Sequence, residues 1–126
     1  MFVKPRTVKI GDSVVEAAKL MKGEETEIAP IVEDGRLIGV VTDHDIVLRV
    51  VAEGRDPLAT RVEDVASRDL VTIDPEQDLD DALAVMTHHN VKHLPVIEED
   101  GTLVGMVARA DVLRHVEAGR TESVFA

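Results

Sequence analysis

The 126-residue chain has no cysteine, tryptophan or tyrosine, and its only aromatic side chains are Phe2 and Phe125, near the two ends. Without cysteine, disulfide and thiolate chemistry are excluded, and the composition suits a reducing cytosol. Without an aromatic platform, single-stranded bases have nothing to stack on. Any base held here must lie between aliphatic side chains. Basic residues are also scarce, 14 against 25 acidic ones, which gives a formal charge of -11. That balance argues against a general nucleic-acid surface, whose affinity rests on Lys and Arg neutralising phosphates. No apolar run approaches the roughly 18 residues of a membrane span, and no signal peptide is evident, so a cytoplasmic location is expected.

What the chain does have is a stretch written twice. Ala29 to Asp45 is an apolar run, an acidic turn with glycine, a second apolar run, and then Thr42-Asp43-His44-Asp45. Leu94 to Asp111 repeats it. Pro30 answers to Pro95 (95 minus 30 is 65), and Asp45 answers to Asp111 (111 minus 45 is 66). One extra residue in the second turn accounts for the change. The pattern is that of a β-hairpin, with glycine supplying a positive φ, handing over to a helix start. Free N–H groups at such a junction are suited to phosphates and hydroxyls.

The flanks repeat as well. Thr7-Val8-Lys9-Ile10 reads as a strand and Ser13-Val14-Val15-Glu16 as a capping box. Val14, Ala17, Ala18 and Met21 then form one helical face. Val71-Thr72-Ile73, the caps Asp78 and Asp81, and the face of Leu79, Ala82, Leu83 and Met86 follow in the second half. Each half therefore reads β-α-β-β-α, an α/β (α+β) duplication. The expected units are 1–58 and 59–126, joined through the turn-rich Gly54 to Ala59. Thr60-Arg61-Val62-Glu63 is expected to open a short entry helix of the second unit, about 60–66. The run Ile46 to Ala52 is apolar on more than one face, as for a helix covered on two sides, one of them by a second copy of the chain.

These residues resemble a tandem pair of cystathionine-β-synthase (CBS) domains over nearly the whole chain. The resemblance is carried by Leu94-Pro95-Val96-Ile97 with Asp100-Gly101, and by Gly-Val-Val-Thr-x-x-Asp at Gly39 to Asp45. Gly105-Met106-Val107 with Asp111 and Val62-Glu63-Asp64-Val65 complete it. Asp43-His44-Asp45-Ile46-Val47 and Ala52 to Pro57 are further similar to small stand-alone bacterial members. The resemblance implies two units packed as a pseudo-twofold pair, usually dimerised, with AMP, ADP, ATP or S-adenosylmethionine bound in the clefts between units. It implies a regulator or sensor, acting on an unidentified protein partner, and not a catalyst.

The family pattern of Ser/Thr followed three residues later by Asp falls on Thr42 and Asp45. A carboxylate can accept from both ribose hydroxyls, and a threonine hydroxyl can meet a phosphate. The alternative is that the two residues merely cap a helix. In the second repeat Ala108 replaces the threonine, Asp111 keeps the ribose role, and Arg109, Lys92 and His93 are the candidates for phosphate charge. Glu27 would oppose phosphate in the first repeat unless Lys9 compensates, from the position given to Thr72 in the second. Ile28, Ala29, Pro30, Leu94 and Pro95 are the aliphatic candidates along the base.

His89 and His93 have the i, i+4 spacing of metal ligands, but Asn90, Val91 and Pro95 end the helix before His93, and no metal site is expected. No nucleophile elbow, His-Glu-x-x-His motif or Walker loop is present, which argues against an enzyme. A ligand-free interaction or scaffold protein with degenerate clefts is the alternative function. Ala108 and Glu27 are the residues that favour it.

Overall fold

A computed structural model describes residues 4–117 and 119; Phe2, Ser123 and Phe125 lie outside them. The chain divides into two compact units: Arg6–Leu70, and a second in which Lys4 and Pro5 join the residues from Val71 onwards.

The first unit runs β1 (Val8–Lys9), α1 (Val14–Glu24), β2 (Ile28–Glu33), β3 (Arg36–Thr42) and α2 (Asp43–Ile46). A π-helical turn, Val47–Val51, continues α2, and the short helix α3 (Val62–Val65) follows. β1 lies parallel to β2, and β2 and β3 form an antiparallel hairpin. Helix α1 buries Val14, Ala17, Leu20 and Met21. The expected face is thus turned slightly: Ala18 is exposed and Leu20 takes its place in the core. Ser13 is the N-cap residue of α1 but makes no capping bond with its side chain. It is instead bridged to Arg61, while the Val14 N–H donates to the Thr60 carbonyl at 2.8 Å and the Val62 N–H to the Asp12 carbonyl at 2.9 Å.

Those bonds place the stretch expected to open the second repeat within the first compact unit. Val62 and Val65 are fully buried among Val14, Ala17, Ile31 and Val41. The N-cap of α3 is Arg61, whose N–H donates to the Asp64 carboxylate at 3.4 Å, and Thr60 instead donates its hydroxyl to the Asp56 carbonyl. Beyond α3, Ser67 pairs with Val40 through two backbone bonds of 2.9 and 3.1 Å. The edge of β3 is thereby covered at Val40, which pairs that residue's outward N–H and C=O groups.

The second unit contains α4 (Leu79–His89), β4 (His93–Ile97), β5 (Leu103–Ala108) and α5 (Arg109–Glu117). The expected strand Val71-Thr72-Ile73 is reduced to one parallel bridge, Ile73 to Val96. The duplication persists in detail. Val8 faces Ile31 as Ile73 faces Val96, and the hairpin bulges fall between Ile31 and Val32 and between Val96 and Ile97. Both long helices close on a left-handed residue, Glu25 (φ 53°) and Asn90 (φ 54°). Asp78 caps α4 as expected, accepting the Asp81 N–H at 2.8 Å.

The shift of offset from 65 to 66 has a simple origin. The first hairpin turns on Asp34-Gly35, both with positive φ, the two-residue form whose twist suits paired strands. The second needs a longer turn: the Gly101 N–H donates to the Glu98 carbonyl, the Glu98 N–H to the Thr102 carbonyl, and Gly101 alone takes positive φ (92°). Among the described residues no helix is long and apolar enough to cross a membrane.

Candidate functional site

The hairpin base delivers Thr42 to the start of α2 in extended conformation, φ -109° and ψ 165°. Its hydroxyl accepts the Asp45 N–H at 3.1 Å, and the Asp45 carboxylate accepts the Thr42 N–H at 2.9 Å. This reciprocal pair satisfies two donors that a helix start leaves unpaired. Asp45 is only 6% exposed. Its remaining contacts come from one residue far along the chain and one a helical turn away. The Ser67 hydroxyl donates at 3.3 Å to Oδ1 and 3.4 Å to Oδ2, and the Arg49 Nε lies 4.0 Å from Oδ1. Arg49 also donates to the carbonyls of Val65 and Ala66, at 3.2 and 3.4 Å.

Sequence reasoning missed both Ser67 and Arg49. Arg49 stands four residues beyond Asp45 on the same helical stretch, so i, i+4 charge pairing offered a signal. For Ser67, 22 residues away, no local pattern exists.

Strand register sorts the aliphatic candidates. Ile28 lies opposite Thr42 and Pro30 opposite Val40, and side chains alternate along a strand, so these share the face of Thr42. Ala29 and Leu94, expected along a bound base, belong instead to the two apolar cores and are fully buried. Lys9 does not correspond to Thr72. With Val8 and Ile73 in equivalent bridges, its counterpart is Asp74, and the local bonds agree: Lys9 N–H to Asp12, Asp74 N–H to Gln77. Lys9 is exposed and Thr72 half-buried.

The second junction keeps the backbone and changes the side chains. His93 faces Ala108 and Pro95 faces Met106, and the Arg109 N–H donates to the Lys92 carbonyl at 2.8 Å. In the first unit the Asp43 N–H makes the same bond to the Glu27 carbonyl, at 3.0 Å. Ala108 has no hydroxyl with which to cap. Asp111 is less buried than Asp45, and its carboxylate is paired with the Arg114 guanidinium one helical turn on. The Nε of Arg109 is buried with no hydrogen-bond partner among the described residues. His88 and His89 contact each other edge to face, while His93 lies on β4, beyond the end of α4. Among the described residues no group of three or more His, Cys, Asp or Glu gathers to hold a metal ion.

Comparison with known proteins bears on these two junctions. The chain is 40% identical over 112 residues to the CBS domain-containing protein YhcV of Bacillus subtilis, covering 89% of this chain and 79% of that one. A crystal structure of Hypoxic Response Protein I with two coordinated zinc ions is 34% identical, with a TM-score of 0.78 over 87% of this chain and 89% of that one. The CBS domain pair of protein MJ0100, crystallised with 5-methylthioadenosine and S-adenosyl-L-methionine, is 25% identical, with a TM-score of 0.78 over 94% of each chain. The CBS domain sequence model matches residues 1–52 and again 62–118, one match over each copy of the hairpin and junction, and the chain therefore belongs to the CBS domain family.

Proposed function

We propose that this chain is a regulatory module that senses an adenosyl ligand, one of AMP, ADP, ATP or S-adenosylmethionine, and catalyses no reaction. Thr42 and Asp45 are the ribose-binding pair of the first unit. In the second, Asp111 meets the ribose, and Lys92, His93 and Arg109 supply charge to phosphate. One observation carries the reading: a buried carboxylate, oriented by its own helix cap, stands where a strand hands over to a helix. The adenosyl ligands bound by the MJ0100 pair support it. The backbone bond from the Arg109 N–H to the Lys92 carbonyl sets two basic residues side by side, which supports the anionic role.

The module works as a homodimer in the cytoplasm, signalling to a protein partner and engaging neither nucleic acid nor membrane. Val47, Leu48, Val51 and Leu58 are all about half exposed or more, as a dimer surface requires. Binding shifts the populations of the dimer's conformations.

A thermal-shift panel of AMP, ADP, ATP, NAD and S-adenosylmethionine tests the function. A ligand at a hundred times its dissociation constant adds about 2.7 kcal/mol of stability. No shift with any of them favours the second reading, a ligand-free interaction protein. The observation on its side is that Thr42, Ser67 and Arg49 already engage the Asp45 carboxylate.

A further inference from the structure

The Asp45 carboxylate carries more than a helix cap requires. The cap uses one bond, from the Thr42 N–H to Oδ2. The Ser67 hydroxyl then lies almost equally far from both oxygens, 3.3 and 3.4 Å, which places it near the bisector of the carboxylate edge. A vicinal diol binds a carboxylate on that edge, one hydroxyl to each oxygen. One serine therefore occupies the seat of two sugar hydroxyls. Its grip is weak, because hydroxyl bonds to oxygen centre near 2.7–2.8 Å and here a single proton is shared.

The segment that brings Ser67 there is fixed independently. Two backbone bonds tie Ser67 to Val40, and Arg49 holds the carbonyls of Val65 and Ala66. Gly39 makes room for it, since a Cβ at that position would meet the Ser67 carbonyl oxygen at 3.1 Å. The hydroxyl is thus delivered to Asp45 by the backbone, and the bonds that hold the connection do not involve it.

We infer that Ser67 is an internal stand-in for the sugar: its hydroxyl occupies the Asp45 carboxylate when no ligand is bound, and a cis-diol must displace it. This rests on the adenosyl reading of Asp45. Ser67 then sets the affinity threshold of the site by competing with the ligand, and removing its hydroxyl tightens binding.

The test is calorimetric titration of the full chain with adenosine, which carries the diol and no charge. Ser67→Ala should bind roughly three- to tenfold more tightly than the unaltered chain, the equivalent of one modest hydrogen bond. Ser67→Cys, a weaker donor of similar size, should move the same way and serves if the alanine variant folds poorly. Ser67→Thr, which keeps the hydroxyl, should bind as the unaltered chain does. Adding Asp45→Ala to Ser67→Ala should abolish the gain. If Asp45→Ala weakens adenosine while Ser67→Ala leaves it unchanged or weakens it too, the stand-in is overturned and the ribose role of Asp45 survives. If neither the unaltered chain nor Ser67→Ala binds adenosine, or binding persists without the Asp45 carboxylate, the adenosyl reading itself fails and the stand-in with it.

Discussion

Lys92 and Arg109 stand side by side at the base of the second hairpin, the Arg109 N–H donating to the Lys92 carbonyl at 2.8 Å. The equivalent neighbours in the first unit are Glu27 and Asp43, joined by the same backbone bond. One geometry has thus been given two cations in one copy and two anions in the other. Phosphate is favoured at the first pair and opposed at the second.

Lys92→Ala and Arg109→Ala should therefore weaken AMP by roughly three- to tenfold at low ionic strength, and less as salt is added, because Lys92 is exposed, Arg109 only half-buried, and charges near water are screened. Adenosine should be unaffected by either change. Calorimetry with both ligands at two salt concentrations decides it. An equal loss for AMP and adenosine would show that these residues support the fold of the junction and supply no charge to a ligand.

The two caps offer a stability comparison in one molecule. Thr42→Ala removes the acceptor of the Asp45 N–H and should destabilise the protein by about 1 kcal/mol. Ala108→Thr supplies the missing acceptor at the start of α5 and should stabilise by a few tenths to about 1 kcal/mol. Urea unfolding of both variants checks the signs. A stabilising Thr42→Ala would mean that the hydroxyl is strained in its place and not capping.

Much of this was legible from residues alone, for reasons that differ element by element. Strand, helix and hairpin signals act over a few residues, and the chain states them twice, so the β-α-β-β-α order could be read directly. Even the difference between Asp34-Gly35 and the longer turn closing on Gly101 surfaces as a one-residue change of offset. Packing was not legible. Ser13 has the right spacing for a capping box, yet its surroundings bridge it to Arg61. Ala18 and Leu20 are both apolar, and only the orientation of α1 against the sheet decides which is buried. The pairing of Lys9 with Thr72 departs from the chain's own offset of 65, which gives Asp74, and the equivalent bridges of Val8 and Ile73 agree with the offset. Ser67 meets Asp45 through the path of the connector, which no period in the chain encodes.

That path makes Gly39 sensitive. A Cβ there would lie 3.1 Å from the Ser67 carbonyl oxygen and 3.5 Å from the Ala66 Cβ. Gly39→Val should force the connector off β3 and destabilise by about 1–3 kcal/mol, the usual cost of overpacking. Amide exchange should quicken at Val40 and Ser67, whose backbone groups bond to each other. Protection retained at both positions in the valine variant would show that the strand edge yields elsewhere.

The dimer reading turns on Val47 and Val51, one turn apart and 54% and 67% exposed. Between them Val50 is fully buried, and the i to i+5 bond from the Ala52 N–H to the Val47 carbonyl widens the helix at this point. One side of the turn is therefore committed to the core, while the other leaves apolar side chains uncovered. Charge introduced on the uncovered side should cost the folded chain little, since surface substitutions away from packed features usually stay within about 0.5 kcal/mol. It should cost an interface far more, because a buried unpaired carboxylate is not tolerated there. The unaltered chain should sediment as a dimer, and Val47→Glu with Val51→Glu as a folded monomer with nearly unchanged thermal unfolding. A monomeric unaltered chain, or a double variant that still sediments as a dimer, would place the interface elsewhere or nowhere.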